Sequence, residues 1–195
     1  MIKFTTPLLL CVTLILEGCA ATTVSKYQAA GNSSICNGSE LGIVAILPEA
    51  AWRADQKEPQ KRETMALTEF EDVFQSIPCG SVSDPGGVRE FANWSEIPES
   101  KLLSRFASEG VDTIIIIRVE ELTPNLHITF SVPFLWGGSN QADFRIRALS
   151  TKTGTVLNDI RINRVTGGVF HIRPAEWSGE ELNAALSEMI KRNKQ

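Results

Sequence analysis

The stretch "VDTIIIIRVEEL" (Val111–Leu122) sets the tightest limit on what this chain can fold into. Its consecutive isoleucines are β-branched, and their restricted rotamers favour strands over helices. Successive strand side chains point to opposite faces. A run apolar on both faces must therefore be covered on both, which places it in the interior of a layered sheet. "LGIVAILP" (Leu41–Pro48) has the same character and ends in proline, so it is a second buried strand. Two helical patterns lie between them. Ala66, Phe70, Val73, Phe74 and Ile77 recur at helical spacing behind Pro59, a residue suited to a first helical position. Leu102, Leu103 and Phe106 give the inward stripe of a helix over 98–109, and Gly110 stands where a C-cap glycine belongs. Strand, helix, helix, strand is the order of a parallel crossover.

Downstream, "LHITFSV" (Leu126–Val132) predicts another strand and "PFLWGGSN" a loop. In "DFRIRALSTKTGTVLNDIRI" the alternation of Phe144, Ile146 and Ala148 with Arg145 and Arg147 predicts a half-buried hairpin. Thr151-Lys152-Thr153-Gly154 fits a type I turn with glycine at the left-handed position. Pairing Thr151 with Thr155 sets Arg147 opposite Asp159 and Phe144 opposite Ile162. One face then carries Phe144, Ile146, Ile160 and Ile162; the other carries Arg145, Arg147, Asp159 and Arg161. Ser178 and Glu181 have capping-box spacing ahead of a last helix, whose stripe is Leu182, Ala185, Leu186, Met189 and Ile190. The expected fold is a single α/β domain: a mixed sheet of about five strands, helices on its faces and a C-terminal helix.

The amino terminus bears on the compartment. Lys3 precedes an apolar run, Phe4–Leu16, of 13 residues. As a helix this run measures about 20 Å, against about 30 Å of bilayer hydrocarbon. It is too short to span well and fits the apolar region of a secretory signal. Leu16-Glu17-Gly18-Cys19 resembles a bacterial lipobox, although Glu17 replaces the usual small or apolar residue. The resemblance implies cleavage before Cys19 and a diacylglycerol on its thiol, against an uncleaved anchor or plain secretion. Ala20 follows where Asp would direct inner-membrane retention, so a cell with two membranes is expected to hold the protein at the outer one, facing the periplasm. The organisation on this reading is a signal peptide over 1–18, a lipidated flexible tether over 19–35 and one globular domain over 36–195. The tether is small and polar, with a reach of roughly 20 Å.

Cys11 leaves with the signal and Cys19 carries lipid, so Cys36 and Cys79 remain for the domain. In an oxidising compartment they are expected to form a disulfide rather than two buried thiols. The formal net charge is −4, and losing Lys3 and Glu17 with the signal leaves it there. No global field attracts nucleic acid, so none is expected as a partner.

The motifs argue against catalysis. Lys152-Thr153-Gly154 spells the KTG of penicillin-recognising enzymes, but no serine has a lysine three residues on, and the triplet falls in the turn. His127 and His171 are the only histidines, without an HExxH helix or a G-x-S-x-G elbow. No enzyme activity, metal or cofactor is expected. Arg145, Arg147, Arg161, Arg164 and Arg173 lie in or beside the hairpin; Arg145, Arg147 and Arg161 share one face. They could grip an anionic glycan or lipid bidentately, or form a solvated face of cross-strand pairs. Phe134, Leu135 and Trp136 in "PFLWGG" could contact a partner or membrane, or fold back over the sheet edge. Trp52, Trp94 and Trp177 suit core filling near element ends.

"GIVAILP", "EGVDTIIIIRVEEL" and "DFRIRALSTKTGTVL" together resemble the periplasmic α/β domain of several envelope proteins. These are the penicillin-binding-protein activator lipoproteins, the curli secretion lipoprotein and the amino-terminal domain of the TolB protein. Gly110 and Asp112 match their "GxDxxxxG" strand, with Arg118 where glycine is common, and the turn lacks the Asp of "D-x-x-T-G". The pattern spans roughly 41–190 and implies, by analogy of fold, a non-catalytic adaptor or assembly role with another envelope protein as partner.

Overall fold

The computed structural model describes residues 22–29, 34–36, 40–52, 54, 56–75, 77–83, 88–128, 136–169 and 177–191. Six strands form one mixed sheet: β1 (Thr22–Ala29), β2 (Gly42–Ala50), β3 (Gly80–Val82), β4 (Thr113–Ile128), β5 (Trp136–Ser150) and β6 (Val156–Val169), in the order β1-β6-β5-β4-β2-β3. β2 runs parallel to β3 and β4, and the other pairs are antiparallel. Three helices complete the fold: α1 (Pro59–Phe74), α2 (Glu99–Ser108) and α3 (Trp177–Lys191), with a 3-10 turn at Trp94–Glu96.

The isoleucine run is central, as its two apolar faces demand. Ile115 and Ile117 join Val44, Ile46, Phe144, Ile146, Ile160 and Ile162 under α1 and α3 on the inner face. Ile114 points the other way, with Ala45, Leu47 and Leu149, against Trp94 and the Leu102 and Phe106 side chains of α2. The inner layer covers the sheet broadly. Among the described residues the outer layer covers only one end of it, and beyond Ile116 the outer face of β4, β5 and β6 is polar, with Arg118, Arg145 and Arg161 half-exposed.

Several expectations are corrected. The segment expected as a tether contributes β1, paired along its whole length with β6. Its sequence hides this, because Val24 and Tyr27 are three apart and break period-2 alternation. Val24 is exposed, Tyr27 packs against the core, and Thr23 shares a 2.9 Å hydroxyl hydrogen bond with Thr166. The strands expected at 111–122 and 126–132 are one strand as far as Ile128, bulged at Glu120, with 129–132 outside the described residues; the expected loop over 133–140 is strand from Trp136 onward. Pro124 is tolerated inside it because β2 ends at Ala50, opposite Val119, and among the described residues no strand pairs with that edge of β4 beyond. β3 is an edge strand too short to leave a pattern. Ser178 is the second residue of α3 rather than its cap, and the Glu181 carboxylate accepts from Arg164 Nε at 2.7 Å.

The hairpin keeps its expected faces but not its expected turn. Ser150, not Thr151, closes the loop: its N–H donates to Thr155 O at 3.0 Å, and Gly154 N–H donates back to Ser150 O at 2.9 Å. Gly154 is left-handed at φ 68°. A bulge at Leu157 restores the register, so Arg147 faces Asp159 and Phe144 faces Ile162 as expected. Lys152 of the KTG triplet reaches across to Asp112 at 2.6 Å, and Asp112 also accepts the Ile43 N–H at 2.9 Å. Thr151 Oγ1 donates to Val111 O at 2.6 Å and is nearly buried. This knot joins β2, the entry to β4 and the β5–β6 turn at one end of the sheet.

Cys36 and Cys79 are bridged, with Cα atoms 5.5 Å apart. The bridge pins the chain before β2 to the chain before β3, where Leu41 N–H donates to Cys79 O at 2.6 Å. Ile35 and Cys36 are buried in the inner core.

Candidate functional site

Strand register builds the outer face. Arg118 of β4 is paired with Arg145 of β5, and Arg145 with Arg161 of β6. Three arginines thus stand side by side across three strands. Like charges directly opposite one another are destabilising unless something compensates, and here carboxylates flank the row. Asp159 takes Arg145 bidentately, at 2.7 Å from Nε and 2.5 Å from Nη2. Asp143 takes Arg161 at 3.4 Å from both Nε and Nη2, and Glu120, two residues on from Arg118 and so on the same face, accepts from the same Nη2. Arg147, one step along, lies 3.3 Å from Glu99 of α2 and 3.9 Å from Asp159.

The charges move one another. The hydrogen bond from Arg145, then its charge and that of Arg147, hold the Asp159 carboxyl below the ordinary carboxylate range. Asp159 in turn raises Arg145, and Asp143, with help from Glu120, raises Arg161. Exposed pairs of this kind each contribute about 0–1 kcal/mol, so the network sets surface pattern more than stability.

Arg118 is matched least well. Its nearest carboxylate is Glu49 at 3.8 Å, and Glu49 is already accepting from Ser95 Oγ at 2.5 Å. Arg118 lies between two recesses, each of about 280 Å³. One lies between the 3-10 turn, α2 and the sheet, lined by Ile97, Leu102, Ile116 and Arg147 among others. The other is lined by Ala51, Glu120, Glu121, Gln141 and Asp143.

The remaining residues singled out in the sequence scatter. Arg164 is on the helix-covered side, where it meets Glu181 at 2.7 Å and Glu188 at 3.3 Å. Cys19, Phe134, Leu135, His171 and Arg173 lie outside the described residues. Trp136 and His127 are backbone partners in the β4–β5 ladder, Trp136 with Ile128 and His127 with Gly137, and their side chains lie outside the description. Among the described residues, no group of three His, Cys, Asp or Glu side chains is placed to hold a metal ion, and no helix is long and apolar enough to cross a membrane. The sequence reading missed Arg118, Glu49, Glu99 and Glu120, which come from elements other than the hairpin.

Fold and site together define a single-sheet α/β domain with one helix-covered face and one half-open, charge-patterned face. No family model matches the chain and no curated protein matches it. Among solved structures it is similar to the PelC dodecamer from Paraburkholderia phytofirmans, at 12% identity over 84% of this chain and 96% of that one, TM-score 0.43. It is similar to lipoprotein GNA1162 from Neisseria meningitidis, at 14% identity over 76% and 96% of the two chains, TM-score 0.44. It is likewise similar to the hypothetical protein CT253 from Chlamydia trachomatis, at 14% identity over 78% and 99%, TM-score 0.45. These likenesses concern the course of the chain.

Proposed function

We propose that this chain is a lipid-anchored bacterial envelope protein that acts as a non-catalytic adaptor, binding another envelope protein at the membrane surface. One observation carries the reading. Thr22 of β1 is in register with Gly167, Gly167 with Ser139, and Ser139 with Asn125. The β4–β5 hairpin then continues past that line to the Ile128–Trp136 pair. At about 3.3 Å per residue this extension is roughly 10 Å. Cys19 precedes Thr22 by three residues, which can span at most about 10 Å. The chain enters at Thr22 at the same end of the sheet as the Ile128–Trp136 pair, so on this reading a lipidated Cys19, Trp136 and the connection that carries Phe134 and Leu135 share one depth. The lipid would hold that end at the membrane, and the hairpin end would meet the partner there.

Labelling with palmitate and a Cys19→Ser variant test the anchor. Label on the wild type and loss of membrane association in the variant are expected; an unlabelled wild type, or a variant still held at the membrane, would remove the lipoprotein reading. Affinity capture from membranes tests the contact. A defined partner is expected with the wild type and a depleted one with Trp136→Ala. Recovery of the same proteins by both would show that the hairpin end is not the interface. An anionic ligand held by Arg145, Arg147 and Arg161 is the second reading, and carboxylates already occupy those three side chains to differing degrees.

A further inference from the structure

The arginine row is compensated unevenly, and the shortfall has a location. Arg145 and Arg161 each have carboxylates within hydrogen-bond reach. Arg118 faces Arg145 across the ladder and makes no hydrogen bond among the described residues, its one ion pair being the 3.8 Å approach to Glu49. A guanidinium presents five donors in a planar fork. Here the fork is half-exposed, beside a like charge, at the wall of a recess of about 280 Å³. That volume is just under the range of drug-sized ligand pockets, about 300–1,000 Å³, and suits a smaller ligand.

We infer that this recess binds a small organic monocarboxylate, with its carboxylate on Arg118 and its apolar body on Ile97, Leu102 and Ile116. Three observations select this ligand. A planar carboxylate accepts two parallel hydrogen bonds from one guanidinium and screens Arg118 from Arg145. Arg147, loosely held at 3.3 Å and 3.9 Å, lines the same recess and adds positive potential. Glu49 and Glu99 also line it, so a dianion such as phosphate would meet two carboxylates where a monoanion meets far less repulsion. The recess on the other side of Arg118 is walled by Glu120, Glu121 and Asp143 and repels anions of either kind. The site lies on the outer face near α2, away from the hairpin end, and holds or fails independently of the adaptor role.

The test is titration of the full chain in detergent with hexanoate, and separately with inorganic phosphate, following the indole N–H resonance of Trp94. Trp94 lines the recess and donates that proton to Pro48 O at 2.8 Å. Hexanoate should move the resonance saturably and phosphate should bind more weakly. Arg118→Ala should weaken hexanoate at least about tenfold, the effect of a lost charge-assisted bond. Arg118→Lys should also weaken it, because an ammonium lacks the fork. Arg161→Ala, in the same row but outside the recess, should bind as the wild type does. No saturable shift in the wild type overturns the inference, as does phosphate binding as tightly as hexanoate. Unchanged affinity in Arg118→Ala overturns it too; should that variant not fold, unchanged affinity in Arg118→Lys does the same.

Discussion

Opening the Cys36–Cys79 bridge removes a cross-link whose effect follows from its span. The two cysteines are 43 residues apart. In the chain-entropy treatment, closing such a loop withdraws about 13 cal/mol/K from the unfolded chain, about 4 kcal/mol at 25 °C. That is a large share of the roughly 5–15 kcal/mol that holds an ordinary domain folded. For a chain of this size it corresponds to a fall in melting temperature of about 8–16 °C. With a urea m-value of about 2 kcal/mol/M, the midpoint falls by about 2 M. The folded state itself should survive, because Ile35 remains buried and the Asn158 amide still donates to Ser34 O. Urea unfolding of Cys36→Ser, Cys79→Ser and the double variant, beside the oxidised wild type, is the assay. All three variants should lose the same amount, and their m-values should rise because the open chain exposes more surface on unfolding. Equal midpoints for wild type and double variant would refute the reasoning, as would single variants that differ from the double by more than the lost thiol packing.

Gly42 and Gly110 are both left-handed, at φ 67° and 80°, but only Gly42 is crowded. A methyl at Gly110 meets nothing within 4 Å, so Gly110→Ala should cost only the conformational strain, about 1–2 kcal/mol. At Gly42 the same methyl would overlap the Asp112 carboxylate, so Gly42→Ala should cost clearly more in urea unfolding, and the excess should shrink in an Asp112→Ala background. Equal losses for the two glycines would show that Asp112 does not hold that position. Acid should expose the carboxylates. The Ile43 N–H, with Lys152, holds Asp112 below the ordinary range, and Arg145 does the same for Asp159. A depressed folded-state pKa gives stability that is complete above the unfolded value of about 4 and is lost as pH falls through the folded value. Asp112→Asn and Asp159→Asn should each flatten the fall in melting temperature below about pH 4, and an unaltered acid slope would count against the pairing.

The parts of this fold that were legible in the sequence are those where burial and period coincide. The isoleucine run, the Phe70–Phe74 stripe and the two faces of the hairpin declare themselves because each apolar position has a covered neighbour. β1 does not, because it is held by a backbone ladder and one-sided contacts that leave no periodic signature. The length of β4 is hidden by Pro124, which ordinarily ends a strand and here lies beyond the end of β2. The site was half legible. Local alternation predicts Arg145, Arg147 and Arg161 on one face, but the place of Arg118 beside Arg145 depends on the β4–β5 register, and Glu49, Glu99 and Glu120 reach Arg118, Arg147 and Arg161 from β2, α2 and β4. No local pattern encodes those meetings.

The position of β1 also decides how the domain bears tension. A pull on the chain ahead of Thr22 enters the sheet at the first residue of a strand that lies antiparallel to β6 over eight paired residues. Directed along the strand axis, the load is shared by the whole ladder in shear, and its bonds must yield together rather than peel one at a time. The strand that looked like slack cord is the joint through which the domain would be hauled.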